Sequence, residues 1–242
     1  MSSGFVDLHC HYLPGIDDGV RSQEQGLALL AGLGRAGFTT VVATPHIRAR
    51  MFDNDKQTIE SAFSSFREVA SRTPNLPEIG LGAEHHVDEL FQRLLGEGGL
   101  VPYPGGHAVL LELPPERWPL RLEHRLFEVG LRRLKPVLAH PERYAPLFAT
   151  TKPLDPLIDA GALPMLDLLS LVGKYGRAPQ KAAERMLAED VYYAACSDCH
   201  KPEDVPHVVE AIARLERLVG RELALELLSV HPRRILDGTA EY

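Results

Sequence analysis

Short apolar runs recur along this chain, each followed by a polar or charged residue and then by a stretch with helical period. FVDLHC (5–10), TTVVATPH (39–46), EIGLGAEHH (78–86), AVLLELP (108–114), KPVLAHPER (135–143), ALPMLDLLS (162–170) and VYYAACSDCH (191–200) read as strands. Runs of this length, dense in Val, Leu and small residues, suit strands buried on both faces. Helical stretches separate them, near 54–72, 88–95, 120–132, 151–160, 178–189 and 203–219. The first helix, SQEQGLALLAGLGRAG (22–37), has Ser22 as N-cap with Gln25 three residues on, and Gly37 as its stop. In the stretch 54–72, Ile59, Phe63, Phe66 and Ala70 make one apolar stripe. RELALELLSVHPRRILDG (221–238) reads as two short helices closing the chain.

Continuous apolar strands alternating with helices predict an α/β protein whose parallel sheet is covered on both sides. About seven units fit a closed or nearly closed (β/α) barrel, and a doubly wound open sheet is the competing arrangement. No low-complexity tract or long linker interrupts residues 1–242, so a single domain is expected.

Composition changes this picture little. The chain has 242 residues, 45% hydrophobic and 24% charged, as soluble globular proteins do. A formal charge of −7 argues against a broad basic surface for nucleic acid. Cys10, Cys196 and Cys199 are an odd number in a chain large enough to need no staples, which points to a reducing cytoplasm. MSSGFVDLHCHYL is polar and then strand-like, and apolar stretches stop short of the ~20 residues of a membrane helix, so no membrane insertion is expected.

The candidate chemistry lies in where the imidazoles and carboxylates fall. His9 and His11 end the first strand, His46 the second, Glu84 the third, Glu112 the fourth, His140 the fifth, and Asp198 with His200 the last. In α/β barrels and open sheets the C-terminal strand ends converge, and sites are built there. Successive strand side chains point to opposite faces, so His9 and His11 share a face while Cys10 points away. Cys199, between Asp198 and His200, is likewise read as packing. A carboxylate in the buried run VLLELP needs a metal or an arginine as partner. Asp17 and Asp18 before Gly19 also read as a turn. His85 and His86 are set aside because at most one shares the face of Glu84, and His107, His124, His207 and His231 fall away from the strand ends.

These motifs carry a resemblance. DLHCHYLPGIDDG, TPH followed by RMF (50–52), GAE, LELP, AHPERY, SDCH and the terminal HPRRIL run in order over nearly the whole chain. The sequence resembles the polymerase-and-histidinol-phosphatase (PHP) superfamily of metal-dependent phosphoesterases. More narrowly, it is similar to bacterial tyrosine-protein phosphatases of capsule and exopolysaccharide synthesis. The resemblance implies a distorted (β/α)7 TIM-like barrel with up to three metal ions, usually manganese. By position, His9 and His11 would bind the first ion with Asp198 and Glu84. Glu84 would bridge to a second held by Glu112 and His140, and Asp18, His46 and His200 would hold the third. It also implies a phosphotyrosine protein as partner, such as the tail of a kinase regulating polysaccharide assembly.

The donor set itself, imidazole and carboxylate without thiolate, favours Mn²⁺, Zn²⁺, Fe²⁺ or Mg²⁺. A hydroxide bridging two such ions is a strong nucleophile near neutral pH. Arg143, three residues after His140, can offer a bidentate fork to phosphate, and Arg48 is a second candidate. The expected catalytic group is therefore Arg143, Asp198 and His200, with Arg143 and Arg48 contacting substrate. A thiolate phosphatase is excluded, because the sixth position after each cysteine is Ile16, Pro202 or Val205 and not arginine. The alternatives are a histidinol-phosphatase or other small phosphate-monoester phosphatase, and a metal-dependent regulatory module without turnover. C–N hydrolysis on an amidohydrolase barrel also opens with His-x-His.

Overall fold

The computed structural model describes residues 4–241. Its strands are β1 (Phe5–Cys10), β2 (Phe38–Ala43), β3 (His46–Ile47), β4 (Glu78–Leu81), β5 (Glu84–His86), β6 (Ala108–Glu112), β7 (Lys135–Ala139), β8 (Leu163–Asp167) and β9 (Ala194–Cys196). The principal helices are α1 (Gln23–Arg35), α2 (Lys56–Ala70), α3 (Glu89–Glu97), α4 (Leu122–Leu131), α5 (Asp155–Asp159), α6 (Leu168–Leu171), α7 (Arg177–Ala188), α8 (Val205–Val219), α9 (Arg221–Leu225) and α10 (His231–Asp237).

All strand pairs are parallel, in sheets ordered β1-β2-β4 and β3-β5-β6-β7-β8-β9. The two sheets are arcs of one ring. TTVVATPH and EIGLGAEHH, each expected as one strand, are interrupted at Thr44–Pro45 and Gly82–Ala83. The break at residue 45 follows from chemistry, since proline has no N–H for a ladder. Across it, Thr44 N donates to Cys10 O (3.0 Å), Gly82 N to Ala43 O (2.8 Å) and Glu84 N to Pro45 O (3.0 Å). β2 with β3 thus forms one stave and β4 with β5 another, giving seven. The ring closes where Asp198 N donates to His9 O and His11 N to Cys199 O, both at 2.9 Å. This is the distorted barrel, not the open sheet.

The termini of the elements follow their local chemistry. Ser22 Oγ accepts from Gln25 N and caps α1, and Gln25 Oε1 accepts from Arg21 N. Asp55 caps α2 and Asp88 caps α3 in the same way. Ile59, Phe66 and Ala70 are buried, with Phe63 packed at the edge of the core. The stretch 151–160 resolves into a 3₁₀ turn (Lys152–Leu154) before α5, and the C-terminal pair α9 and α10 is joined by a π-helical turn, Glu226–Val230.

Among the described residues, three apolar clusters divide the core, the smallest joining Ile47, Ile59, Ala83 and Val101; the other two fill the barrel and its helical cover. The larger packs Val41, Val109, Leu111, Leu138 and Leu166 against the helices. The smaller joins Val42, Leu110, Val137, Met165 and Cys196, with Ile235 of α10 against it. Leu110 and Glu112 share a face of β6, so the apolar filling of the barrel runs directly into a polar mouth. Among the described residues, no helix is long and apolar enough to cross a membrane.

Phe66 ties α2 to the barrel. Its ring lies 5.4 Å from that of Tyr12, whose hydroxyl donates to Gly80 O at 2.7 Å. Phe66→Ala is expected to cost about 3–5 kcal/mol, measured as a lower denaturant midpoint at unchanged m-value.

Candidate metal centre

All nine residues singled out as ligands stand at the mouth formed by the C-terminal strand ends. His9 is in β1 and His11 one residue beyond it, while Asp18 lies in the turn that follows. His46 opens β3, Glu84 opens β5, and Glu112 ends β6. His140 follows β7, and Asp198 and His200 follow β9. Both His140 (φ 35°) and Asp198 (φ 46°) have left-handed backbones, which turn the chain sharply out of the barrel. Such conformations cost roughly 1–3 kcal/mol each and are held only where neighbours over-determine them.

The donor atoms converge. His9 Nε2 stands 3.1 Å from Glu84 Oε2, 3.2 Å from Asp198 Oδ1 and 3.2 Å from His11 Nε2. His11 Nε2 is 3.6 and 3.4 Å from the same two oxygens. Glu84 also meets His46 Nδ1 through Oε2 (2.9 Å) and His140 Nε2 through Oε1 (3.1 Å). At the outer edge, Asp18 Oδ1 is 3.4 Å from His46 Nε2 and 3.5 Å from His200 Nε2. Metal-sized groups form from His9, His11 and Glu84; from His9, His140 and Asp198; from His46, Glu84 and Glu112; and from His11, Asp18, His46 and His200.

This geometry fits divalent cations. Ligand atoms bound at about 2.1 Å around one ion stand about 3.0–3.4 Å apart, close to the 2.9–3.6 Å separations of these donor atoms. Glu84 Oε2 and Asp198 Oδ1 are buried and accept no hydrogen bond despite the imidazoles beside them. Buried carboxylate oxygens without a donor are costly, and a cation removes that cost. With nitrogen and oxygen donors only, the set suits borderline and hard divalent ions.

The carboxylates and imidazoles shift one another's proton affinities. Burial opposes the charge on His9, but Asp198 and Glu84 outweigh it and push its imidazolium up to about 9. Burial likewise opposes His46, yet Glu84 and neighbouring carboxylates push it up to about 10. His200, raised by Asp18 and Asp198 against burial, reaches about 9. Burial would lift Glu84 and Asp198, but the surrounding imidazoles, His9 foremost, hold both well below the carboxylate range. His140 is the exception: burial and Arg143 lower it.

A second layer holds these side chains. Asp17 is buried; its Oδ2 stands 2.8 Å from His11 Nδ1 and accepts from His46 N, while Oδ1 accepts from Gly19 N. It fixes the His11 ring so that Nε2 faces the cluster. A Cβ on Gly19 would lie 2.4 Å from His11 O, so only glycine closes this turn. His86 Nδ1 meets Glu112 Oε2 at 2.8 Å. His85 points the other way, between Leu110 O and Val101 N, and burial lowers its pKa to about 4. Asp7 Oδ1 accepts from His9 N and Ser197 N, binding the first and last strands.

Arg143 reaches the same mouth. Its Nη1 lies 2.6 Å from Asp198 Oδ2 and 3.6 Å from Asp167 Oδ2, and its guanidinium carbon is 4.3 Å from the Tyr175 ring centre. Arg48 sits in a bridge with Phe52, whose ring stacks on His46 at 5.2 Å and 11°. Among the described residues, Arg48 makes no ion pair. The three cysteines are free and buried, burial pushes their thiols up, and Cys10 Sγ donates to Cys199 O.

Several of these partners escaped the sequence. Asp167 ends β8, so the strand-end rule that found the others applied to it unchanged. His86 shares the face of Glu84 by alternation. Asp7, a carboxylate inside VDLHC, carried the same signal as Glu112. Asp17 carried none beyond its neighbour.

Comparisons with known proteins place this arrangement first in a fold and then in a family. A crystal structure described as that of YwqE from Bacillus subtilis and CpsB from Streptococcus pneumoniae, unique metal-dependent tyrosine phosphatases, aligns at TM-score 0.89 with 24% identity, covering 98% of this chain and 96% of that one. The phosphotriesterase homology protein of Escherichia coli, complexed with phosphate in its active site, aligns at TM-score 0.56 and 10% identity over 98% and 99% of the two chains. Both show the barrel fold. Residues 5–237 match the family described as capsular polysaccharide synthesis, CpsB/CapC, and the chain belongs to it. It is 27% identical to the tyrosine-protein phosphatase CpsB of Streptococcus pneumoniae, over 96% of this chain and 98% of that protein. It is 25% identical to the tyrosine-protein phosphatase YwqE of Bacillus subtilis, over 90% and 86%.

Asp17→Asn keeps the shape of the turn but removes the charge behind His11. Divalent-cation affinity is expected to fall about 10–100-fold, read by competition with a chelating dye, and native affinity would refute the role. A cation must also displace the protons held by His9, His46 and His200. Those groups bind protons below about 9 or 10, so loading at pH 7 should release protons and affinity should fall as pH is lowered. Calorimetry in buffers of different ionisation enthalpy measures the release; identical heats in all buffers would contradict it.

Proposed function

We propose that this chain is a metal-dependent protein-tyrosine phosphatase, working as one domain in the cytoplasm with manganese as its cation. The observation that carries the reading is the convergence of His9 Nε2, His11 Nε2, Glu84 Oε2 and Asp198 Oδ1 beside Arg143, which is anchored on that same aspartate. The names of the relatives CpsB and YwqE, tyrosine-protein phosphatases, support the substrate class.

His9, His11, Glu84 and Asp198 would hold one cation; Glu84, Glu112 and His140 a second; Asp18, His46 and His200 a third. When bound, the cations supply Lewis-acid charge that makes water nucleophilic near neutral pH and offsets charge on the phosphoryl oxygens. The remaining work falls to the chain. Arg143, with Nη1 engaged by Asp198, presents its other N–H groups to phosphate as a planar fork. Asp198 thereby sets both cation and arginine, and the reading counts it, His200 and Arg143 as the catalytic group. Arg48, near the Phe52–His46 stack, is placed as a second phosphate contact. A phenolate leaving group, pKa about 10, departs with less protonation than an alkoxide, so no dedicated acid is required. Asp18 and His200 are the more exposed ligands, with side chains 52% and 26% accessible. A mouth open on that side admits a tyrosine presented on a flexible protein tail, for which we propose the tail of a kinase of polysaccharide assembly.

Protein stripped of metal and reloaded with Mn²⁺ should release phosphate from a phosphotyrosine peptide. Arg143→Ala should lower kcat/KM about 10²–10³-fold, and His140→Ala should slow turnover at least as much. Equal or faster hydrolysis of histidinol phosphate would overturn the substrate assignment. Activity surviving complete metal removal would overturn the mechanism.

A further inference from the structure

Arg143 is held on two sides. Carboxylates engage its Nη1, from Asp198 at 2.6 Å and Asp167 at 3.6 Å. On the other side the guanidinium carbon lies over the ring of Tyr175, 4.3 Å from its centre. Among the described residues, its other N–H groups make no hydrogen bond or ion pair, so the edge away from the two aspartates is free.

Tyr175 sits in the short loop joining α6 to α7, and that loop is fixed at several points. Gly173 (φ 78°) and Gly176 (φ 95°) bracket it in the left-handed region that glycine adopts without strain. Gly173 N donates to Ser170 O, Lys174 N to Leu169 O, and Gly176 N to Gly173 O. Lys174 Nζ binds Asp204 Oδ1 at 2.8 Å, and Asp204 Oδ2 accepts from the amide of His200 at 3.0 Å. The loop is thereby braced against the segment that carries His200, and the tyrosine ring has a defined place beneath the arginine.

A long, flexible arginine side chain loses rotamer freedom when it grips an anion. A cation stacked on an aromatic face has lost part of that freedom beforehand. We propose that Tyr175 is a positioning residue: its ring forms a platform that holds the Arg143 guanidinium flat, with its free edge presented to the phosphoryl group of the substrate. The identity of the gripped group rests on the phosphatase reading; the platform itself rests on the position of the guanidinium carbon over the ring and on the braced loop. The ring, not the hydroxyl, carries the effect.

The test is binding of inorganic phosphate to the full, Mn²⁺-loaded chain, by isothermal calorimetry, for the native protein and for Tyr175→Phe, Tyr175→Trp and Tyr175→Leu. Each is made alone and with Arg143→Ala, and metal content is checked by elemental analysis. Tyr175→Leu should weaken phosphate binding about tenfold, with Phe and Trp within about threefold of native, since aromatic faces substitute for one another under a cation. In the Arg143→Ala background, Tyr175→Leu should cause no further loss. Native affinity in Tyr175→Leu, equal weakening by Phe and Leu, or an undiminished loss without Arg143 would overturn the proposal. So would loss of metal from the Leu variant, or no phosphate binding by the native loaded protein. Failure of the phosphatase reading looks different: native protein that binds phosphate normally but does not hydrolyse a phosphotyrosine peptide.

Discussion

The structure turns on one buried carboxylate. Glu84 stands at the start of β5, inaccessible to solvent, with Oε2 against His9 and His46 and Oε1 against His140. It links the staves that carry β1, β3, β5 and β7. An ionised carboxylate at the end of a barrel filled with Leu110, Val137 and Met165 is tolerable only inside a positive environment. Imidazoles that the carboxylates keep protonated supply that environment, and the proposed cations would supply it more strongly. The chemistry of the mouth and the stability of the barrel top therefore depend on the same charges.

The same constraint explains the local distortions. Regular strands alternate their side chains, and a mouth built only from them would aim about half of its polar groups into the helical layer. His140 and Asp198 avoid this by leaving their strands in left-handed conformations. Each turn is held by backbone bonds, Arg143 N to His140 O and Asp198 N to His9 O. Gly19 lets the DDG turn fold back onto His11, placing Asp17 behind the imidazole and Asp18 in front of the cluster. Two adjacent aspartates thus act from opposite sides.

How much of this was legible in the sequence follows from which signals are local. The apolar runs and helical periods located β1, β6, β7 and the long helices, because burial and capping are written within a few residues. The break at Thr44–Pro45 had a local sign in the proline, but the one at Gly82–Ala83 did not, since it depends on how one stave leans on the next. Strand-end position gathered the ligand candidates, and Asp167, the last residue of β8, meets the same criterion although it lies outside that set. Asp17 and Tyr175 act through contacts with His11 and Arg143, and a partner six or thirty-two residues away in sequence leaves no periodic trace. Excluding a thiolate mechanism needed only cysteine spacing, and the burial of Cys10, Cys196 and Cys199 agrees with it.

A chain of formal charge −7 gathers Asp18, Glu84, Glu112 and Asp198 at one opening, and protonated His9, His46 and His200 offset those four charges only in part. Three divalent cations, as proposed, would set six positive charges against four negative ones and reverse the local field. Arg143 alone cannot do so, because two aspartates already claim its near edge. Anion binding is then conditional on metal loading, and the arginine contributes direction more than charge. That division of labour accounts for the presence of both an aromatic platform and two carboxylates around a single guanidinium. Its charge is partly spent within the protein, and what it offers a substrate is a planar edge held in one orientation.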